Sequence, residues 1–293
     1  VTLTVTDDNG CTDDTIIVVE VYCEPTANFN SQESCVGDTT FFNNTSTNGT
    51  GNINQWSWNM GGTGTYVGGS SSTSQNPIFI YDNCGTYNVT LTVTDDNDCT
   101  DDTTIVVEVY CEPSPNFSSN TICEGDTTLF TDLSVAGTSP SAAIVSWNWT
   151  MNGTGIYVNG TNSNSQNPQY IFDDCGIHNV NLEVTDANGC IHDTTIVVEV
   201  YCNPISNFNA PPVCFDDLPV IFNNTSTNGS GTINQWSWNM GGTGTYVGGS
   251  SSSSQNPQFS YDSCGTYNVT LTVTDDNGCT DDTIIVVEVY CEP

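Results

Sequence analysis

Cysteine is the residue type with the greatest chemical potential in this chain, and its spacing is regular. The 293 residues contain 14 cysteines. The element Val-Tyr-Cys ends at Cys23, Cys111, Cys202 and Cys291, in steps of 88, 91 and 89 residues. A repeated cysteine framework without C-x-x-C spacing is typical of disulfides formed in an oxidising compartment, not of metal-binding thiols. We therefore predict a disulfide-bonded protein that is secreted or displayed on a cell surface.

Catalytic chemistry is not indicated by the other side chains. The only histidines, His178 and His192, fall in one repeat, and the first repeat carries Tyr87 and Asp101 at the equivalent positions. Catalysis needs an acid, a base or a nucleophile held in a fixed place. We interpret both histidines as surface residues, and we predict a non-enzymatic chain that requires no cofactor.

Aspartates cluster around one turn of each repeat and could bind calcium. Ca²⁺ takes 6–8 oxygen ligands in proteins, and acidic loops supply them. Glu24 could join such a site, whereas the middle repeat keeps only Asp186 and Asp193. The alternative interpretation is a turn with solvated charge. The candidate ligands are Asp95, Asp96, Asp101, Asp102, Asp275, Asp276, Asp281 and Asp282.

The charge balance excludes whole classes of partner. The chain has no lysine or arginine and 34 acidic residues. Nucleic-acid binding needs cations that neutralise phosphates, and anionic membrane surfaces attract basic segments. No apolar run approaches the ~20 residues of a membrane span, so we expect no membrane insertion. Because like charges repel, we expect successive repeats to form an extended rod.

Alternating residues indicate the elements that carry these side chains. In the segment YNVTLTVTDDNDC, Val89, Leu91 and Val93 share one face and threonines occupy the other, as in a half-buried strand. The Asp-Asn cluster that follows is typical of a hairpin turn, and a β-branched strand returns from it. Trp56 and Trp58 share a face of an earlier strand, which we expect in the core. Short strands between turn residues, without helical periodicity, predict all-β sandwich modules.

The motifs of module 1, taken in order, resemble the PKD domain, an immunoglobulin-like module. They are P-x-x-x-F, C-x-G-D, W-x-W-N-M-G-G, N-P-x-x-x-Y and C-G-T-Y-N-V-T-L-T-V-T-D. The family commonly has W-D-F-G-D-G where this chain has Trp58 to Gly62, so the acidic residues of that turn are missing. Asp82, Gly85 and Tyr87 resemble a tyrosine corner, with His178 in place of the tyrosine in the middle repeat. The cysteine- and threonine-rich form resembles repeats in giant surface proteins of Bacteroidota-type bacteria.

The repeats predict the organisation of the chain. Residues 1–25 are identical to residues 269–293. We predict modules at 24–112 (module 1), 113–203 (module 2) and 204–293 (module 3), preceded at 1–23 by the C-terminal F–G hairpin of another module. This pattern indicates that the chain is a segment of a longer tandem array. Alternatively, the 25 residues are a hairpin donated to a neighbouring subunit, which gives a head-to-tail polymer.

The immunoglobulin-like strand order implied by the resemblance suggests how the cysteines pair. It places the A–B and E–F turns at one end of a module and the F–G turn at the other. One bridge within each module follows, at Cys35–Cys84, Cys123–Cys175 and Cys214–Cys264. One bridge across each junction follows as well, at Cys23–Cys99, Cys111–Cys190 and Cys202–Cys279. Cys11 and Cys291 are left for residues outside the chain, and an exchange of partners, such as Cys35–Cys111 with Cys84–Cys190, stays open.

The tripeptide Asp-Thr-Thr or Asp-Thr-Ile resembles an O-glycosylation site used in Bacteroidota. It recurs at two separate places within module 1, although a repeat copies any tripeptide. The resemblance implies glycans on threonines at these sites, which are Thr15, Thr39, Thr103, Thr127, Thr194 and Thr283.

Two functions are compatible with these features. The first is a structural repeat segment of an extracellular fibre or adhesin stalk, whose partners are further copies of the same module in one chain or head-to-tail subunits. The second is a carbohydrate- or protein-binding accessory module of a secreted enzyme. The near-identity of modules 1 and 3 favours the first function, because spacers are copied whole.

Overall fold

The computed structural model describes residues 1–137 and 142–291. Residues 138–141 of module 2 and the last two residues of module 3 lie outside these ranges. Within the described residues the secondary structure consists of β-strands and one 3-10 helix of three residues. No helix in this part of the chain has the length and apolarity needed to span a membrane. The predicted all-β fold is confirmed.

The strands follow the same order in each module. The N-terminal segment has β1 (Thr2–Thr6) and β2 (Thr12–Ile16). Module 1 has β3 (Phe29–Ser31), β4 (Ser34–Cys35), β5 (Thr39–Asn44), β6 (Ile53–Asn59), β7 (Gly64–Val67), β8 (Ile78–Tyr81), β9 (Gly85–Asp95) and β10 (Thr100–Tyr110). Module 2 has β11 (Phe117–Ser119), β12 (Ile122–Cys123), β13 (Thr128–Asp132), β14 (Ile144–Met151), β15 (Gly155–Tyr157), β16 (Gln169–Phe172), β17 (Gly176–Asp186) and β18 (Ile191–Tyr201). Module 3 has β19 (Phe208–Asn209), β20 (Val213–Cys214), the 3-10 helix (Phe215–Asp217), β21 (Val220–Ile221), β22 (Asn223–Asn224), β23 (Ile233–Asn239), β24 (Gly244–Val247), β25 (Gln258–Tyr261), β26 (Gly265–Asp275) and β27 (Thr280–Tyr290).

Each module is a two-sheet sandwich of the immunoglobulin type. In module 1 one sheet has the order β3-β5-β8-β7 and the other has β4-β10-β9-β6, and module 2 repeats both orders. In module 3 the second sheet, β20-β27-β26-β23, is retained, whereas the first is interrupted between β21 and β22. The two-residue strand β4 runs parallel to β10, with Cys35 beside Tyr110. We call β9 and its equivalents strand F, β10 and its equivalents strand G, and the turn between them the F–G turn.

Strand F supplies the centre of each core, as the alternating pattern predicts. Val89, Leu91 and Val93 are completely buried in module 1, whereas the threonines between them are half-buried on the outer face. Across the sandwich, Phe29 meets the Trp58 ring edge-on with ring centroids 5.0 Å apart. Trp58 is buried as predicted, and Trp56 is half-buried against the same cluster. Aromatic pairs of this geometry add ~0.5–1.5 kcal/mol beyond the area they bury.

The tyrosine corner is present in modules 1 and 3, and a histidine replaces it in module 2. The Tyr87 hydroxyl donates to the carbonyl of Asn83 at 2.6 Å, and its ring stacks on Tyr81. In module 2 the His178 ring stacks on Phe172 with centroids 4.1 Å apart, and its Nε2 lies 3.0 Å from the Asp174 carbonyl. The prediction that both histidines are surface residues is therefore wrong for His178, which is 5% exposed. It occupies a core position because its flat ring fills the space of the tyrosine ring.

The chain divides into two compact units. Unit 1 comprises Val1–Pro113, Ala136–Ala143 and Asp186–Cys190, and unit 2 comprises Ser114–Val135, Ile144–Thr185 and Ile191–Pro293. The F–G turn of module 2 therefore belongs to the same compact unit as module 1.

Candidate functional site: disulfide junctions between modules

Five disulfides join ten of the cysteines. Three of them lie within modules, at Cys84–Cys111, Cys175–Cys202 and Cys264–Cys291. Two connect neighbouring modules, at Cys35–Cys190 and Cys123–Cys279. The Cα atoms of each pair lie 4.8–5.7 Å apart, within the range that a disulfide spans. Cys11, Cys23, Cys99 and Cys214 are not bonded.

The bridge within each module closes the open end of the F–G hairpin. Strands F and G pair antiparallel, and the last pair of the ladder is Gly85 with Val109. Cys84 immediately precedes that pair and Cys111 follows Tyr110, the last residue of strand G, so the two cysteines meet at the open end of the ladder with Cα atoms 4.9 Å apart. All three bridges span 27 residues, because the hairpin has the same length in every module.

The bridge between modules connects the edge of the second sheet of one module, at β4 or its equivalent, to the F–G turn of the next. Cys35 lies in β4, which the parallel pairing with β10 holds beside the end of strand G. Its partner Cys190 belongs to the F–G turn of module 2 and is 1% exposed. Cys123 in β12 bonds to Cys279 of module 3 in the same way, at a sequence separation of 156 against 155. The geometry of the junction is thus repeated.

A buried aspartate shapes each F–G turn. In module 2, Asp186 Oδ1 accepts hydrogen bonds of 2.9 Å from the backbone N–H groups of Asn188 and Cys190. Asp275 makes the equivalent bonds to Asn277 and Cys279 in module 3. These bonds fix the backbone beside the bridging cysteine, so the aspartate positions the sulfur.

The linker between modules packs against the module that follows it. The Cys202 N–H donates to Ser230 Oγ at 2.8 Å, and the Ser230 N–H donates to the Cys202 carbonyl at 3.0 Å. A Cβ atom at Gly229 would overlap that carbonyl oxygen, so glycine allows the close approach. Farther along, Asp281 Oδ2 accepts a hydrogen bond of 2.7 Å from the Ser206 N–H. The junction therefore combines a disulfide with fixed backbone contacts.

The structure corrects the predicted pairing. None of the six predicted bridges forms. The cysteines of Cys35–Cys84, Cys123–Cys175, Cys111–Cys190 and Cys202–Cys279 are all bonded to other partners. Cys214–Cys264 does not form because Cys214 is unbonded, and Cys23 and Cys99 are both unbonded as well. Cys291, predicted to bond outside the chain, bonds to Cys264. The reason is β4 and its equivalents, which place the cysteine of the A–B turn at the edge of strand G. Cys84 therefore forms its disulfide with Cys111.

The pairing within modules had a sequence signal that strand order alone overlooks. Cys84 and Cys111 flank the two strands of the F–G hairpin, and an antiparallel hairpin brings the outer ends of its strands close together. The spacing of 27 residues is the same in all three modules, whereas the spacing from Cys35 to Cys84 differs from its counterparts.

Six of the eight candidate calcium ligands accept hydrogen bonds from backbone N–H groups. Within the described ranges, no group of three or more His, Cys, Asp or Glu side chains is placed to hold a metal ion. Asp95 Oδ1 accepts bonds from the N–H groups of Asn97 and Cys99, and Asp101 Oδ2 accepts one from the Ala27 N–H. Calcium binding stays a prediction.

The six candidate glycosylation threonines are all accessible to solvent. Thr15 and Thr39 are exposed, and the other four are half-buried, with Thr103, Thr194 and Thr283 in strand G. Glycosylation stays a prediction as well.

The pKa values of Tyr110 and Cys99 in module 1 are raised. A hydrogen bond with Glu33 raises the pKa of Tyr110 to about 12, with smaller effects from desolvation and nearby carboxylates. Desolvation raises the pKa of the Cys99 thiol, and the charge of Asp95 acts in the same direction. Cys99 is therefore less ionised at neutral pH than an ordinary cysteine, which slows its thiolate chemistry.

Comparison with known proteins gives the family. The pre-pro-metalloprotease PrtV of Vibrio cholerae serotype O1 (strain M66-2) is 32% identical over 158 residues, which are 54% of this chain and 15% of PrtV. The crystal structure of the PKD1 domain of Vibrio anguillarum Epp is 33% identical and covers 31% of this chain and 96% of that chain, with a TM-score of 0.26. The PKD1 domain from Vibrio cholerae PrtV is also 33% identical, over 30% of this chain and 98% of that chain, with a TM-score of 0.25. The sequence profile of the PKD domain matches residues 23–109, 112–200 and 202–289. The chain therefore belongs to the PKD domain family and carries three of its domains in tandem.

Proposed function

We propose that this chain is a non-catalytic segment of an extracellular fibre or adhesin stalk whose successive modules are cross-linked by disulfides. The observation that carries the proposal is the repeated bridge from one module to the F–G turn of the next, at Cys35–Cys190 and Cys123–Cys279. Domains that act independently do not require a covalent connection besides the peptide chain. A segment that bears tension or withstands proteases benefits from one.

The two bridges between modules form overlapping loops. The loop closed by Cys35–Cys190 contains Cys123, and the loop closed by Cys123–Cys279 contains Cys190. Any single break of the backbone between residues 35 and 279 therefore leaves both pieces joined by a disulfide. This property suits a protein exposed to proteases outside the cell, and disulfides persist in that oxidising environment.

Limited proteolysis tests the proposal. A protease that cuts after acidic residues should nick the folded chain, and the nicked chain should migrate as one species without reductant and as fragments with it. Replacement of both bridging pairs, Cys35/Cys190 and Cys123/Cys279, by serine should release fragments without reductant wherever the cut falls outside the hairpins closed by the three bridges within modules. Replacement of Cys84 and Cys111 is the matched control and should not release them. Separate fragments from the oxidised, unmodified chain after a single cut in this range would refute the proposal.

A second candidate function, an accessory module of a secreted enzyme, is favoured by the similarity to PrtV, which is a metalloprotease by name. A carbohydrate-binding face generally needs an exposed aromatic platform. In the described residues the six tryptophans alternate between buried and half-buried, and none is exposed. Binding to a panel of immobilised polysaccharides would support this second function, and the absence of binding would favour the first.

Glycans and calcium would fit the first function as additions. We propose that the Asp-Thr-Thr and Asp-Thr-Ile sites carry O-linked sugars, since all six threonines are accessible. Intact-mass measurement of the native protein before and after chemical deglycosylation tests this, and a mass equal to that of the bare sequence would refute it.

A further inference from the structure

Modules 1 and 3 each have an open cleft on the same side of the sandwich, where both sheets end. It lies at the edge strands β6 and β7 in module 1 and at β23 and β24 in module 3. The cleft has a volume of about 520 Å³ in module 1 and about 510 Å³ in module 3, and the same residue types line it in both. Ligand sites commonly have volumes of ~300–1,000 Å³. We call this feature the edge cleft.

The inner part of the edge cleft is aromatic. In module 1 it is formed by Trp58 and Phe79, which are 5% and 3% exposed, and by the half-buried Tyr66. The Tyr66 ring meets the Phe79 ring edge to face with centroids 4.9 Å apart, and the equivalent rings of module 3 are 5.0 Å apart. Trp58 Nε1 donates to the Ser74 carbonyl at 2.9 Å. These contacts hold the rings in place, so the aromatic surface is present before any ligand binds.

An exposed carboxylate lies at the rim of the edge cleft. This is Asp82 in module 1, whose backbone N–H donates to the Thr63 carbonyl at 3.1 Å. Asp262 makes the same bond to Thr243 at 3.1 Å in module 3. Among the described residues, the side chains of Asp82 and Asp262 take part in no hydrogen bond. Each carboxylate is therefore held at the cleft by its backbone and is available to a ligand.

We propose that the edge cleft of modules 1 and 3 binds an arginine side chain of a partner protein. The methylene groups of arginine pack on aromatic rings, and its planar guanidinium forms paired hydrogen bonds with a carboxylate. In module 1, Tyr66 and Asp82 line the same cleft and match these two parts of the side chain. The occupant is not part of this sequence, because none of the 293 residues is lysine or arginine.

The charge of the chain selects among the possible ligands of the cleft. With 34 acidic residues and no lysine or arginine, the surface attracts cationic partners and repels anionic ones. A neutral sugar could pack on the rings but would gain nothing from the charge of the carboxylate. A free metal ion would use the carboxylate alone, since no group of three or more His, Cys, Asp or Glu side chains in the described part of the chain is placed to hold one. An arginine side chain uses both parts of the cleft.

Module 2 has a different residue at the floor of the equivalent region. Tyr170 stands where module 1 has Phe79. Burial raises the pKa of Tyr170, and the charges of Asp173 and Asp174 act in the same direction. The Tyr170 hydroxyl therefore lies near Asp173, the counterpart of Asp82, and adds a polar group where the methylene groups of arginine would pack. For this reason we assign the site to modules 1 and 3.

Titration of the isotope-labelled full chain with a blocked glycine-arginine-glycine peptide at physiological ionic strength tests the proposal by NMR. We expect the indole N–H signals of Trp58 and Trp238 and the backbone amide signals of Asp82 and Asp262 to shift as the peptide binds. The same peptide with citrulline in place of arginine is the control ligand, because citrulline keeps the shape of the side chain but carries no charge. It should bind at least about tenfold more weakly, since it lacks the charged hydrogen bonds.

Two double variants separate the cleft from general attraction by the acidic surface. Asp82→Asn with Asp262→Asn should lower the affinity for the arginine peptide about tenfold. Asp102→Asn with Asp282→Asn is the matched control, which removes the same charge from exposed positions of strand G and should change the affinity less than about twofold. Equal affinity for the arginine and citrulline peptides, an equal loss in the two double variants, or no shift of the signals at the cleft would overturn the proposal. The proteolysis result for the disulfide junctions would stand unaffected, because it does not involve the edge cleft.

Discussion

The overlapping bridges make a quantitative prediction for a chain pulled from its two ends. Each bridge between modules shortens the covalent path, and two alternative short paths exist. One runs through Cys84–Cys111 and Cys123–Cys279, and the other runs through Cys35–Cys190 and Cys264–Cys291. The two paths have nearly equal length. Loss of either bridge alone therefore leaves the other path intact.

The magnitudes follow from residue numbers and the reach of an extended backbone, ~3.5 Å per residue. With all five disulfides, the unfolded chain should stop at about 380 Å between residues 1 and 291. Replacement of either bridging pair by serine should leave this limit unchanged. Replacement of both pairs should extend it to about 740 Å, and full reduction should extend it to about 1,000 Å.

Single-molecule force spectroscopy with handles at both ends measures these limits. The four unbonded cysteines should be serine in every sample, so that new thiol pairs do not form; these are Cys11, Cys23, Cys99 and Cys214. The sum of the unfolding steps gives the total extension. A single-pair variant that extends to about 740 Å, or a double variant that stops at about 380 Å, would contradict the connectivity on which the reasoning rests.

Three further predictions concern stability. Tyr267→Phe removes the 2.5 Å hydrogen bond to the Ser263 carbonyl, so the free energy of unfolding in urea should fall by ~1 kcal/mol, and an unchanged midpoint would argue against the tyrosine corner. Gly229→Ala places a methyl group against the linker carbonyl and should cost ~1–3 kcal/mol, whereas a neutral result would show that the linker moves freely. Burial raises the pKa of Tyr81 and Tyr261 well above the usual value, so the unfolded chain loses these protons first; their contribution to stability should be constant below about pH 10 and fall above it. Tyr81→Phe and Tyr261→Phe should each reduce that fall, and a variant with the same fall would refute this cause.

Strand F and the core could be predicted from the sequence because their signals are long and local. Alternation over the 11 residues of Gly85–Asp95 determines which side chains face inward, and the structure buries Val89, Leu91 and Val93 accordingly. Period-2 patterns of that length have few competing interpretations. The tandem sandwich followed from several such strands in a fixed order.

The disulfide partners could not be predicted from strand order because they depend on an element of two residues. A strand as short as Ser34–Cys35 has no periodicity, and its parallel pairing with strand G is a tertiary contact. That contact moves Cys35 away from Cys84 and toward the next module. The prediction for His178 was wrong for a related reason. A polar side chain suggests a surface position, whereas the flat ring packs in the core and its two nitrogens lie near backbone carbonyls.

The charge of the chain explains why its junctions are built from sulfur and carboxylate–amide bonds. With 34 acidic residues and no lysine or arginine, side-chain ion pairs between modules have no cationic partner except the two histidines. Repulsion between like charges acts against cohesion at every junction. Carboxylates can still support a junction from within one module where they accept backbone N–H bonds, as Asp275 does from the bridging Cys279 and Asp281 does from Ser206 directly after the linker. Further cohesion between modules must come from interactions of uncharged groups and from covalent bonds, and a disulfide is stronger than any noncovalent contact. The disulfides between modules therefore supply the cohesion that ion pairs do not provide in a chain without lysine and arginine.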